Sequence, residues 1–243
     1  MTDYEETIMK TPLGKRKSNL AAILMGLIVF IGLPLSLFVS AGRWDWLEGW
    51  IYVGLALFST FLSRLLMARK NPGLISERAH SVSAENVKSW DKWLMPYNVV
   101  FGPLLVFITA GLNERWDWAP ALPFWLELLG IPVLIAGVMI ATWAMIVNPF
   151  FSGTVRIQKE RGHLVIESGP YRQVRHPGYL GGILGYLAMP LMLGSIWAYI
   201  PVAAGILMTA LRTHLEDKYL ILELPGYEEY THRTRYRLIP GIW

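Results

Sequence analysis

From Gly169 to Gly182 the chain reads Gly-Pro-Tyr-Arg-Gln-Val-Arg-His-Pro-Gly-Tyr-Leu-Gly-Gly, which gathers Tyr171, Arg172, Arg175, His176 and Tyr179 at the head of an apolar run. Imidazole exchanges protons near neutral pH, guanidinium grips carboxylate or phosphate with two prongs, and a tyrosine face attracts cations. A proline disfavours helix at the residue before it and suits the first turn of a helix itself. A helix is therefore expected from Pro177, with His176 just outside it and the unpaired amides of its first turn facing whatever His176 faces. After a second apolar run comes Arg212-Thr213-His214-Leu215-Glu216-Asp217-Lys218-Tyr219-Leu220. Arg212 and Glu216 share a helix face at i, i+4, and Leu220 continues that stripe. Arg212 is a candidate to hold an anionic acceptor, while Glu216, Asp217 or His214 can take a proton from an amine.

The elements that carry these residues are membrane helices. The 243 residues are 53% hydrophobic and 16% charged, with 11 Trp, which lies outside the range of an ordinary soluble domain. Leu20 to Val39, Trp93 to Leu112 and Leu128 to Val147 contain no charge, and Trp50 to Ala68 contains only Arg64 near its end, where a long side chain can snorkel. The first run is too long for a signal-peptide core and follows an acidic, polar start, so it is expected to be retained. The absence of cysteine excludes disulfides, thiolate metal sites and cysteine nucleophiles. The five histidines show no metal-ligand spacing, and no metal is expected.

The formal charge of +4 follows topology rather than a nucleic-acid surface. Lys10, Lys15, Arg16 and Lys17 precede the first span, and further basic residues fall between spans two and three, from Arg156 to Arg175, and from Arg212 onward. The other two loops hold one each, Arg43 and Arg115. The positive-inside rule then puts both termini and the His176 region in the cytoplasm, with the chain in a cell (inner) membrane or endoplasmic reticulum.

The expected architecture is an all-α, multi-pass transmembrane helix bundle, with four spans, a C-terminal helical hairpin and a cytoplasmic cofactor-binding segment. Residues 1–19 form a polar tail, 20–147 the four spans, and 148–243 the loop, hairpin and tail of the site. Arg-Trp-Asp-Trp occurs at both outer corners, 43–46 and 115–118, and Asn-Pro at both inner exits, 71–72 and 148–149. This pattern is either the trace of a duplicated two-helix unit or the ordinary demand for interfacial tryptophan and helix breakers. Val155-Arg156-Ile157 and Leu164-Val165-Ile166 suggest short extended pieces. Tyr179 to Leu193 and Ile196 to Leu211 are short for spanning and form a tight hairpin split at Gly194-Ser195, with Pro190 and Pro201 as bends. Tyr227 to Trp243 reads as a basic tail along the surface.

The ordered set Gly169-Pro-Tyr-Arg-x-Val-Arg-His-Pro-x-Tyr-x-Gly, Arg212-x-x-x-Glu216-Asp217-x-x-Leu220, Pro225-Gly226-Tyr227-x-x-Tyr230 and Arg237-x-Ile239-Pro240 resembles the isoprenylcysteine carboxyl methyltransferase family. The related membrane phospholipid methyltransferases share it. The resemblance covers Val155 to Trp243 and implies an enzyme that uses S-adenosylmethionine, with a cytoplasmic cofactor pocket and a lipophilic or lipidated acceptor entering from the bilayer. It implies that His163, Leu164, Val165 and Gly169 to Tyr171 form one wall, that His176, Pro177, Tyr179 and Gly182 form the floor, and that Glu216 is the acidic partner. The family usually carries two glutamates where this chain has Glu216-Asp217. For S-adenosylmethionine, arginine or helix-end amides suit the carboxylate and Glu216 the amine or ribose hydroxyls.

Two other functions compete. Membrane sterol or steroid reductases, which use NADPH, have a similar Arg-His-Pro-x-Tyr element, but with Asn and Glu where this chain has Gly178 and Gly182. A non-enzymatic lipid-binding protein leaves His176, Arg212 and Glu216 without a catalytic purpose. Arg172 and Arg175 also read as plain interfacial anchors, and the glycines at 181, 182 and 185 as helix-packing residues.

Overall fold

The computed structural model describes residues 20–21, 23–74, 77, 87–120 and 122–243. The N-terminal tail expected at 1–19 and His80 lie outside the described residues. Among the described residues, four helices are long and apolar enough to cross a membrane: α1 (Ile23–Ala41), α2 (Leu47–Lys70), α3 (Asp91–Trp116) and α4 (Phe124–Val147). Each lies within a few residues of its expected span, because an uncharged run of bilayer length has no better partner than lipid or another such run. Then follow an irregular segment with short 3₁₀ turns at Lys159–Arg161 and Gly169–Arg172, the hairpin helices α5 (Pro177–Met192) and α6 (Tyr199–Glu223), and a short α7 (Tyr227–Arg233). No strand occurs among the described residues, so the two expected extended triplets join no sheet.

The core packs α1 against α3, α2 against α4, and α5 along α4. The α4–α5 crossing is close because glycines meet there. A Cβ on Gly137 would stand 2.7 Å from the Gly181 carbonyl, and one on Gly181 would stand 2.5 Å from the Gly137 carbonyl. Gly182 and Gly185 have open space beside them.

α3 carries a π-helical turn at Tyr97–Phe101, where the Gly102 amide bonds Tyr97. Pro103 has no N–H to offer the Asn98 carbonyl, which accepts the Tyr186 hydroxyl of α5 at 3.0 Å instead. The Asn98 side chain also accepts the Thr209 hydroxyl of α6 at 2.8 Å. One irregular turn thus ties α3 to both hairpin helices. The outer corners meet where Arg43 bonds Glu114 at 3.0 Å, and the inner exits meet where Asn71 donates to the Met145 and Asn148 carbonyls.

Two expectations about the C-terminal third need correction. Pro190 lies in the last turn of α5 and Pro201 in the first turn of α6, so neither sits mid-helix. The segment after Leu224 is no surface tail. Tyr227, Tyr230, Thr234 and Leu238 are buried, and the Arg175 and His176 amides donate to the Tyr236 and Arg237 carbonyls, each at 2.9 Å. Paired backbone groups and a buried tyrosine face fix a segment that its charge pattern alone would leave in water.

Candidate active site

Val202, Gly205, Thr209, Arg212, Thr213 and Asp217 are the buried residues of α6, and apart from the adjacent pair at 212 and 213 they recur every three or four positions and trace one helical stripe. Its apolar half faces the bundle. Its polar half starts at Arg212, and there the structure brings together the two polar clusters read from the sequence.

Asp217 is fully buried and is the hub. Arg175 grips it with two bonds of 2.8 Å, and the Arg237 Nε donates to its Oδ2 at 2.8 Å. The Tyr227 hydroxyl donates to Oδ1 at 3.0 Å, and His176 Nε2 lies 3.1 Å from the same oxygen. Burial pushes the Asp217 carboxyl up, but the hydrogen bonds from His176, Arg175 and Arg237 outweigh it and hold the carboxyl well below the usual carboxylate range. The Arg175 Nη1 donates to the Thr234 and Arg235 carbonyls at 2.8 Å. A single carboxylate therefore gathers the Gly169–Gly182 stretch, α6, α7 and the final segment. The methylene that distinguishes Asp217 from glutamate is absent at this crowded point.

His176 is the residue before α5, which begins at Pro177 as expected. Its ring stacks on Tyr179, with centroids 5.7 Å apart and planes 13° apart. The Arg212 guanidinium carbon lies 5.2 Å from the Tyr179 ring centroid, and the Tyr179 hydroxyl donates to Glu216 Oε2 in a short hydrogen bond. Asp91, at the start of α3, binds Arg212 through Nε at 2.6 Å and Nη2 at 3.1 Å. Arg212 Nη2 also reaches the Gly153 carbonyl at 2.9 Å. Among the described residues, Arg212 Nη1 has no partner and Glu216 has no arginine within ion-pair distance.

The remaining expected residues divide. Tyr171 is buried and anchored rather than facing a cleft: its hydroxyl accepts from Asn148 at 3.1 Å, and its carbonyl accepts the Tyr230 hydroxyl at 2.7 Å. Pro177 is fully buried, whereas Gly182 is exposed, and a Cβ placed on it would meet no atom within 4 Å. Gly169 adopts a positive φ of 58° against Trp143 and Val147, a conformation that favours glycine. Val165 packs on the cluster of Tyr171, Leu224, Tyr227 and Tyr230, while Leu164 is exposed.

His163 belongs to a neighbouring cluster. Its ring stacks on Phe150 at 4.6 Å and its Nδ1 accepts the Gln158 amide at 3.3 Å. Burial, reinforced by Arg156 and Arg161, pushes its imidazole down to about 4. His214 and His232 are exposed.

Sequence reading missed Asp91, Tyr227 and Arg237 as site components. The tyrosine and arginine stood inside recognised motifs, at Pro225-Gly226-Tyr227 and Arg237-x-Ile239-Pro240. Asp91 carried no such signal. Among the described residues, no group of three or more His, Asp or Glu is arranged to hold a metal ion.

The four apolar helices, with a buried polar site on the C-terminal hairpin, mark a multi-pass integral membrane protein. Residues 128–222 match the model of the isoprenylcysteine carboxyl methyltransferase (ICMT) family. Through that segment the chain is similar to this family. The chain is also similar to the cobalt-zinc-cadmium resistance protein CzcN of Cupriavidus metallidurans, 28% identical over 156 residues, 60% of this chain and 66% of that protein. It is similar to the Delta(14)-sterol reductase TM7SF2 of Mus musculus, 33% identical over 100 residues, 40% of this chain and 24% of that protein. The chain thus spans less than two thirds of the length of either relative.

Proposed function

We propose that this chain is an integral membrane methyltransferase that moves the methyl group of S-adenosylmethionine to a lipophilic acceptor, at a site formed by the start of α5 and the polar end of α6. The observation that carries this reading is the meeting of His176, Tyr179, Arg212 and Glu216, inside the segment that matches the family. The chemistry of the donor set fits the cofactor. Glu216 is a carboxylate without an arginine, suited to an ammonium. The open flank of Gly182 admits a ligand against α5.

When bound, the cofactor would supply a sulfonium methyl whose carbon an acceptor oxygen or nitrogen would attack in line, the new O–C or N–C bond forming as the C–S bond breaks and its electron pair stays on sulfur. The chain's own work is to position and to exclude water. Asp217 fixes His176 and the final segment, and Glu216 fixes the Tyr179 hydroxyl. Arg212 turns its Nη1 edge toward an acceptor carboxylate, which needs no base. An amine acceptor would instead give up its proton, for which Glu216 is placed. The positive-inside pattern supports a site on the cytoplasmic side of the membrane.

Transfer of labelled methyl from S-adenosylmethionine into a total lipid extract, resolved by mass spectrometry, tests the reading and names the acceptor. No transfer into any lipid sinks it. The similarity to a sterol reductase supports a second reading, in which the same cluster of side chains takes NADPH. The glycines at 178 and 182 weigh against it, since those reductases carry asparagine and glutamate there.

A further inference from the structure

We propose that Asp91, from the third span, is a positioning residue of this site, which makes the N-terminal spans part of the catalytic apparatus. This rests on the methyltransferase reading above. Asp91 lies outside residues 128–222, is separated from Arg212 by 121 positions, and is fully buried. It meets Arg212 side-on through Nε and Nη2, so the guanidinium has one orientation, over the Tyr179 ring with Nη1 left for a ligand. Its second task is to accept the Val155 amide at 2.7 Å, while the Lys88 amide donates to the Val155 carbonyl at 3.4 Å. The loop at 153–155 is thereby stitched to the start of α3 beside the site. The resulting chain runs Asp91, Arg212, Tyr179, Glu216.

Stability alone is a weak reason for such a pair, because desolvation of two buried charges cancels much of their attraction. Orientation is the stronger reason. A displacement of about 1 Å in a positioning group can cost on the order of 100-fold in rate.

The test separates charge compensation from positioning by comparing Asp91→Glu and Asp91→Asn with the unaltered protein in detergent. Three readouts are taken: thermal stability, equilibrium binding of labelled S-adenosylmethionine, and methyl transfer into a total lipid extract at saturating cofactor. Asp91→Glu keeps the charge but moves the carboxylate by one methylene. The expected result is unchanged cofactor affinity and a modest fall in melting, with transfer reduced roughly 100-fold. Asp91→Asn is expected to lose transfer as well. Transfer within twofold of the unaltered protein in Asp91→Glu would overturn the proposal, as would equal collapse of melting and cofactor binding in both variants. If the unaltered protein transfers no methyl, the methyltransferase reading itself falls and takes this role with it.

Discussion

Asp217→Asn is the sharpest perturbation of the scaffold that holds the site. Five polar contacts converge on the carboxylate: two from Arg175 and one each from Arg237, Tyr227 and His176. Asparagine keeps the shape and one acceptor, but its amide points two N–H donors at guanidinium groups that are themselves donors. Two arginines then lose the charge that compensates them, one of them Arg175, with a side chain only 5% exposed. Breaking a buried pair by removing one partner costs about 3–5 kcal/mol. The folded-to-unfolded ratio should therefore fall by roughly two to four powers of ten. Denaturant titration in a mild detergent, followed by tryptophan fluorescence, reads this directly. Arg233→Ala, which removes an exposed ion pair to Glu167, is the control and should change nothing measurable. A loss below about 1 kcal/mol for Asp217→Asn, the range of surface pairs, would refute the hub. The sign with pH is also fixed. The carboxyl is depressed in the folded state, so its stabilisation is present above the ordinary carboxylate range and is lost as pH falls below it.

Other outcomes follow from single contacts. Tyr227→Phe removes one hydrogen bond to a charged group and should cost about 1.5–3 kcal/mol in the same titration, so an unchanged midpoint would contradict the Tyr227–Asp217 bond. Gly181→Ala forces a methyl against the Gly137 carbonyl and should destabilise by about 1–3 kcal/mol, whereas Gly182→Ala, with open space, should be close to neutral. His163 is held neutral, with its pKa lowered to about 4 from 6.5. Its contribution to stability is complete above pH 6.5 and diminishes as pH falls to about 4. A His163→Gln variant should lose that slope, and identical stability curves across the window would contradict it.

The spans, the hairpin and the helix start at Pro177 were legible because each rests on a local rule: apolar length, a Gly-Ser break, a proline at the first turn. Bringing Arg212 and Glu216 to Tyr179 followed from connecting two same-side helix ends. What stayed hidden depended on distant partners. The final segment looks interfacial until Asp217 and the Arg175 backbone claim it. Asp91 looks like an ordinary acid opening a helix, and nothing near it in the chain announces a guanidinium 121 positions away. The π turn in α3 arises where Pro103 denies Asn98 its donor, and its meaning appears only with Tyr186 and Thr209 in place.

The central claim is that the meeting of α5 and α6 binds S-adenosylmethionine. Equilibrium binding of labelled S-adenosylmethionine and of NADPH to the purified protein measures it most directly. The account predicts saturable S-adenosylmethionine binding, weakened in both His176→Ala and Glu216→Ala. Saturable binding of NADPH alone, of neither ligand, or S-adenosylmethionine affinity unchanged in both variants would contradict it.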